Sequence, residues 1–456
     1  MTTHRDDKTD PRYRPPAHDD TDPGQTAVPR GRVNTRPVAR FYPANPRTLE
    51  DTGLTSSQIE ASILKALFFV TEMRGIDLAR HLRLPTQIIE PMLEQLRRLK
   101  LIDIRGGSGQ GFGLSTMIYA LGTLAQEPLK QIFDHDRYNG PAPVPYHDWV
   151  TAVRAQSIRG VRVTHDMLSE RLGGMHFPDE LIDGLGPAIN SGRSVFLHGP
   201  SGNGKTSLCR RIANCYSWDI YVPYAVDIDG YVVKVYDEMI HRQVTAREGD
   251  PATDERWVRC RRPLVVVGGE LTMDMLDMAY SPEMKFYEAP LQMKASNGVL
   301  LIDDLGRQRI TPRELLNRWI FPLENDVDYL KLDAGKRFAI PFDAFLVFST
   351  NLDPKELVDD AFLRRVRYKI KLDAPPVQVY KEIFREQCEQ RGLAYLDAEI
   401  DTFIRFMNES ARPLAACQPR DLIDQINDHA FYRGERPAVT AETLSRAAQT
   451  YFAQFK

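Results

Sequence analysis

The sequence predicts an α/β protein: a parallel sheet with flanking helices, preceded by a small helical domain that ends in a hairpin, and followed by a helical lid. Three stretches carry this. SVFLH runs directly into GPSGNGKT and then TSLCRRIANCY: an apolar strand, a glycine-rich turn and a helix in succession. VLLIDDLG, Val299 to Gly306, is a second apolar strand, and it ends on two adjacent aspartates. FLVFSTN is a third, closing on small polar residues. Apolar strands separated by helical stretches suit a sheet with helices on its faces.

The elements can be justified in chain order. Residues 1–48 are rich in Pro, Asp, Arg and Thr with almost no aliphatic clusters, which predicts a disordered tail. Over 55–124 the pattern changes. SSQIEASILKALFFVTEM, GIDLARHL and PTQIIEPMLEQLRRL have apolar residues at helical spacing, and LIDIRGG and GFGLST predict two short strands about a Gly-rich turn. This order resembles a winged-helix domain. The third helix carries Gln87, Glu90, Glu94, Arg97, Arg98 and Lys100, with its basic residues at the far end and acids in the middle. DNA binding needs a basic face to neutralise phosphates, so protein docking is favoured over nucleic acid. Residues 125–177, with Pro128, Pro141, Pro143 and Pro145, are expected as a connector, 178–373 as the α/β domain and 374–456 as the helical lid.

Composition narrows the function. The 456-residue chain can hold two or three domains. It is 42% hydrophobic and 27% charged with a net charge of −3, so it has no global attraction to nucleic acid or acidic lipid. No apolar run is long enough to cross a bilayer, and the polar N-terminus does not read as a signal peptide, so no membrane insertion is expected. The five cysteines, Cys209, Cys215, Cys260, Cys388 and Cys417, form no CxxC pair. That argues against a zinc site or disulfide framework and predicts a cytoplasmic protein.

GPSGNGKT, Gly199 to Thr206, matches the phosphate-binding pattern GxxxxGK[ST]. Its glycines let successive backbone N–H groups turn toward one anion, and the helix that follows adds its N-terminal dipole. The expected nucleotide-binding residues are Gly199, Pro200, Ser201, Gly202, Asn203, Gly204, Lys205, Thr206 and Ser207. Lys205 can reach the β- and γ-phosphates, and the Thr206 hydroxyl can ligate Mg²⁺. The same site explains VLLIDD. Two neighbouring carboxylates repel and are costly to bury unpaired. A cation and Lys205 would make them tolerable, with Asp303 meeting Mg²⁺ and Asp304 orienting or deprotonating the attacking water.

These motifs, with those that follow, resemble the AAA+ ATPases from about Asp166 to the C-terminus. The resemblance implies ATP and Mg²⁺ as cofactors and a homo-oligomeric, hexameric ring. It places Asn351 in FLVFSTNLDP as the sensor 1 residue that positions water, and Arg365, with Arg364 as the neighbouring choice, in DDAFLRRVRYKI as an arginine finger facing the next subunit. It places Arg420 in QPRDLIDQINDHAF as sensor 2, although Arg at a helix start opposes the dipole. YLKLDAGKRFAIPFDAFLVF resembles the pre-sensor-1 hairpin of the branch that includes the MoxR-like proteins. Trp218–Pro290 is longer than a minimal core needs; its REGDPATDERWVRCRR is expected as a surface insertion, and Phe286 and Tyr287 as core or interface residues with a pore-lining alternative. The resulting expectation is a chaperone-like remodelling ATPase acting on a protein client. The alternatives are a DNA-acting helicase-like or loader ATPase using the winged helix, and a weakly hydrolysing ATP-dependent scaffold.

Overall fold

Five strands form a parallel sheet: β1 (Ser194–His198), β2 (Leu264–Val267), β3 (Val299–Ile302), β4 (Phe345–Thr350) and β5 (Tyr368–Lys371). Their spatial order is β2-β3-β4-β1-β5, all pairs parallel. The computed structural model describes residues 41–107, 116–216, 218–245, 249–333, 335–357 and 360–452. These belong to one compact unit, Arg40–Lys456.

The side-chain period of two explains why these strands are apolar throughout. Val195, Leu197, Val299, Leu301, Phe345 and Val347 face one side. There they pack against α1 (Asp179–Ser191), through Leu185 and Ile189, and α2 (Lys205–Cys215), through Leu208 and Ile212. Phe196, Leu300, Ile302, Leu346 and Phe348 face the other side, against Leu315, Leu316 and Trp319 of α3 (Pro312–Asn325). Helix α3 is started by a capping box, in which Thr311 and Glu314 satisfy each other's backbone N–H groups. The protein is thus of the α/β class, a parallel sheet flanked by helices.

After the sheet come four helices: α4 (Val377–Gln390), α5 (Asp397–Glu409), α6 (Gln418–Arg433) and α7 (Ala441–Tyr451). They have a core of their own, built on Tyr380, Phe384, Phe403, Met407, Leu422 and Leu444.

Before the sheet, helices Ser56–Val70, Gly75–Leu82 and Thr86–Arg98 surround a core of Ile59, Ile63, Leu78, Leu93 and Leu96. A three-stranded antiparallel sheet accompanies them, in the order Glu72–Arg74, Met117–Leu121, Ile102–Gly107. LIDIRGG contributes the strand expected of it. Of GFGLST, residues 111–115 lie outside the described residues, and the observed second strand starts after it at Met117. The first 40 residues of the expected tail also lie outside the described residues. Its last part is ordered: Phe41 packs edge-on against Trp257 at 6.1 Å, the Pro43 carbonyl accepts from Asp254 N at 3.1 Å, and Thr48 caps the helix Leu49–Thr52.

The largest departure from expectation lies between these parts. The strands Val144–Pro145, Ala225–Ile228, Tyr231–Lys234, Ala279–Ser281 and Phe286–Glu288 form a second five-stranded sheet. Its core joins Val144, Trp149 and Val153 from the expected connector to Val222, Val233 and Trp257 from the expected insertion. Leu330, Leu332, Phe338 and Ile340 of the hairpin Val327–Lys331/Arg337–Pro341 complete it. Residues 247–248 of the charged stretch lie outside the described residues, and from Asp254 to Cys260 it is part of a folded module. Trp257, Val258 and Cys260 are buried on a strand, while the buried Arg256 is held by Asp254 at 2.8 Å and donates to Thr52 O and Pro143 O. Tyr287 is buried, its hydroxyl accepting from Asp333 N at 3.0 Å, and Phe286 meets Tyr138 edge-on at 5.7 Å, so both belong to packing.

Candidate functional site

The parallel register brings the C-terminal ends of β1, β3 and β4 to one edge: His198 lies level with Thr350, and Ile302 with Phe348. Crevices outside such strand ends are where open α/β sheets bind ligands. Residues Gly199–Gly204 turn from β1 into α2. Gly199, Gly202 and Gly204 have φ of 136°, 84° and 85°, a region that L side chains avoid. Space excludes a side chain as well. A Cβ on Gly199 would lie 2.1 Å from the Leu372 carbonyl oxygen, and one on Gly202 would lie 2.5 Å from Cys417 Sγ.

Lys205 opens α2 and is buried. Its Nζ donates to the carbonyls of Gly199 at 2.8 Å and Pro200 at 3.0 Å, folding the ammonium back under the loop. Burial pushes its pKa below the usual lysine value, and the charges of Asp304 and then Asp303 oppose that shift. Thr206, the next residue, donates from its hydroxyl to Asp303 Oδ2 at 2.7 Å.

The acidic turn is held from several sides. Leu305 N donates to Ser349 O at 2.7 Å, and the Thr350 hydroxyl donates to Leu305 O at 2.9 Å. Gln308 Nε2 donates to Asp303 O at 2.7 Å. Asp304 adopts φ 50°, which an Asp tolerates better than most residues, and its N–H bonds Asp303 Oδ1 at 3.1 Å.

Ser201–Ser207, Asp303 and Asp304 share a cleft of about 880 Å³ with Gly174–Pro178, Ile383, Glu386 and Arg420. The C-terminal helical part reaches the glycine loop directly. Cys417 N donates to Gly202 O at 2.9 Å, and Ala416 N to Asn203 Oδ1 at 3.2 Å. Arg420 stands in the first turn of α6, and Asp421 beside it, at 2.7 Å, supplies the acid that offsets the unfavourable dipole.

The Thr206 hydroxyl and the Asp303 carboxylate are hard oxygen donors. Among the described residues no group of three or more His, Cys, Asp or Glu side chains is placed to cage a metal. Mg²⁺ is ordinarily held by one or two protein oxygens together with substrate phosphates. The donor set fits a Mg²⁺ ion that arrives with a nucleotide.

The fold brings Lys205, Thr206, Asp303, Asp304 and Arg420 to one cleft. Asn351, Arg364 and Arg365 lie outside its wall. Asn351 follows directly on Thr350 at the end of β4. Arg364 is exposed, and Arg365 Nε donates to Glu324 Oε1 of α3 at 2.6 Å. The wall also contains residues that no motif announced. Met175, His176 and Phe177 fall in the expected connector, and Cys417 stands one turn before Arg420.

A family model described as a domain of unknown function (DUF8689) matches residues 376–450, which is the four-helix lid. No curated protein matches the chain. Among solved structures, NtrX from Brucella abortus is similar at 15% identity and a TM-score of 0.38, over 61% of this chain and 56% of that one. The match thus spans little more than half of NtrX. The Thermotoga maritima RuvB Holliday junction branch migration motor is similar at 15% identity and a TM-score of 0.34, over 65% of this chain and 72% of that one.

Proposed function

We propose that the protein binds and hydrolyses ATP with Mg²⁺ in this cleft, as an AAA+-type remodelling ATPase. The observation that carries the reading is the Thr206–Asp303 hydrogen bond of 2.7 Å beside the buried Lys205. It joins a phosphate-loop helix to an acidic strand end, as metal-assisted phosphoryl transfer requires. Bound Mg²⁺ would neutralise phosphate charge, held by Thr206 and Asp303. The loop N–H groups bind the β-phosphate, and Lys205 exchanges its carbonyl partners for phosphate oxygens. Asp304 accepts the proton of the attacking water. Asn351 orients that water from the end of β4, and Arg420 approaches the phosphates from the lid.

Arg364 and Arg365 lie outside their own subunit's cleft wall. A finger at either position would serve a neighbouring copy, and a ring is the assembly that would bring it there. For the client, a protein is favoured over DNA. On the third N-terminal helix, Arg97 and Arg98 both lie within ion-pair distance of Glu94, at 3.9 and 3.4 Å. That leaves little basic face to meet phosphates. No helix among the described residues is long and apolar enough to cross a membrane.

Phosphate release from ATP, measured with Mg²⁺ and with the metal chelated, tests the enzyme. Turnover only with Mg²⁺ is expected; its absence in both conditions refutes hydrolysis. Duplex DNA titrated at two salt concentrations tests the client class, since tight, steeply salt-dependent binding would favour the DNA-acting alternative.

A further inference from the structure

The cleft is spanned by a contact that the nucleotide motifs do not include. The loop Gly173–Pro178 follows the helix His165–Leu172 and leads into α1. It is fastened to the phosphate-loop helix α2, because Arg211 Nη1 donates to the carbonyls of Arg171 at 3.1 Å and Gly173 at 2.6 Å. Met175 and Phe177 lie against the phosphate loop itself: a Cβ on Gly204 would stand 3.2 Å from Met175 Cε and 3.9 Å from Phe177 Cζ. His176, between them, goes to the lid instead. Its Nδ1 lies 3.5 Å from Glu382 and its Nε2 3.1 Å from Glu386.

Glu382 and Glu386 are one turn apart on α4 and so share a face. A carboxylate thus stands against each ring nitrogen, and Nε2 is buried without a hydrogen bond of normal geometry, so the two approaches are close polar contacts that bridge loop and lid. The ring is 23% exposed and the two carboxylates 41% and 40%, which leaves the contact open to screening by salt. Met175–Pro178 and residues Ile383, Glu386 and Gln387 of α4 are walls of the same cleft. The histidine therefore joins the two sides between which a bound molecule would leave.

We propose that His176 is a latch: through Glu382 and Glu386 it holds lid helix α4 to the loop that rests on the phosphate loop, and so sets how long nucleotide stays bound. This is a positioning role, and it rests on the nucleotide reading of the cleft. The test uses the full chain and a fluorescent ATP analogue, mant-ATP, whose dissociation is followed by stopped flow. His176→Ala and the double variant Glu382→Gln/Glu386→Gln should each release the analogue about tenfold faster than wild type, the scale of a coupling between two elements. His176→Lys places a fixed cation beside the two carboxylates and should stay within about twofold of wild type. Raising salt from about 50 mM to about 500 mM should speed release from wild type by a larger factor than from His176→Ala. A merely structural histidine would show neither the lysine rescue nor the smaller salt response. The glutamates are half-exposed, so the double variant remains readable if His176→Ala fails to fold. Wild-type release rates in the double variant, or an unchanged salt response in His176→Ala, overturn the latch alone. Failure of wild type to bind mant-ATP overturns the nucleotide reading, and the latch with it.

Discussion

Thr206 and Asp303 are 97 residues apart in the chain and meet through one hydrogen bond of 2.7 Å, from the Thr206 hydroxyl to Asp303 Oδ2. The parallel register makes this meeting, because it sets the ends of β1 and β3 on the same edge with only β4 between them. A hydroxyl, a carboxylate and a buried ammonium then converge where a polyphosphate with its metal would sit.

Lys205→Ala removes the ammonium tucked beneath the loop glycines, which otherwise bonds Gly199 O and Pro200 O. A charged hydrogen bond is worth roughly 2 kcal/mol, so ATP affinity should fall at least about thirtyfold. Isothermal titration reads this directly. Near-normal affinity would remove Lys205 from the phosphate site.

Asp304→Asn keeps the shape of the acidic turn and removes the proton acceptor. ATP should bind within a few-fold of wild type while turnover drops about 10²-fold or more. Turnover close to wild type would leave Asp304, with φ 50°, as a turn residue only.

Arg365→Ala should bind ATP, assemble and lose hydrolysis by roughly 10³-fold, the usual worth of a finger. Mixing it with Lys205→Ala should restore some activity, since an intact loop and an intact finger then meet across subunits. Light scattering must first show assembly. Arg364→Ala belongs beside it, because Arg364 is the exposed neighbour while Arg365 pairs with Glu324. Full activity in both variants would end the trans-acting model.

Trp319 probes the sheet's packing. It is fully buried among Phe342, Phe348 and other core side chains, and its indole nitrogen has no hydrogen-bond partner. Trp319→Ala should cost about 3–5 kcal/mol through the cavity it leaves. Trp319→Phe loses no hydrogen bond and should cost less than half as much. Urea unfolding of the two variants checks the difference; equal losses would mean that the N–H group carries stability after all.

The glycine loop between β1 and α2 was legible because its signal is local: one short run supplies the glycines, the lysine and the threonine, with an apolar strand before it and a helix after it. The acidic strand end was legible for the same reason, as two adjacent charges closing VLLI have few structural uses. The second sheet was not. Its strands are only two to four residues long, too short to show a period, and the buried Arg256 and Asp254 of the same module read as surface until their pairing is seen. Nor was His176 legible, since its partners lie more than two hundred residues away on α4 and no spacing pattern links them. Asn351 follows its strand where expected, directly after Thr350.

The second module draws its core from Val144 to Val153, from Ile220 to Met293, and from Leu330 to Ile340. Between the last two pieces the chain detours to lay down β3 and α3 of the parallel sheet. A nascent chain emerging from the ribosome therefore holds two unfinished cores at once. Trp149 and Val233 wait for Leu330 and Phe338, while β1, already made, waits for both its sheet neighbours, β4 and β5. Such long closures slow folding and expose apolar surface meanwhile. The hairpin closes the first gap, β4 follows it directly and β5 comes soon after, so synthesis of residues 327–371 is the stretch over which both halves can collapse together.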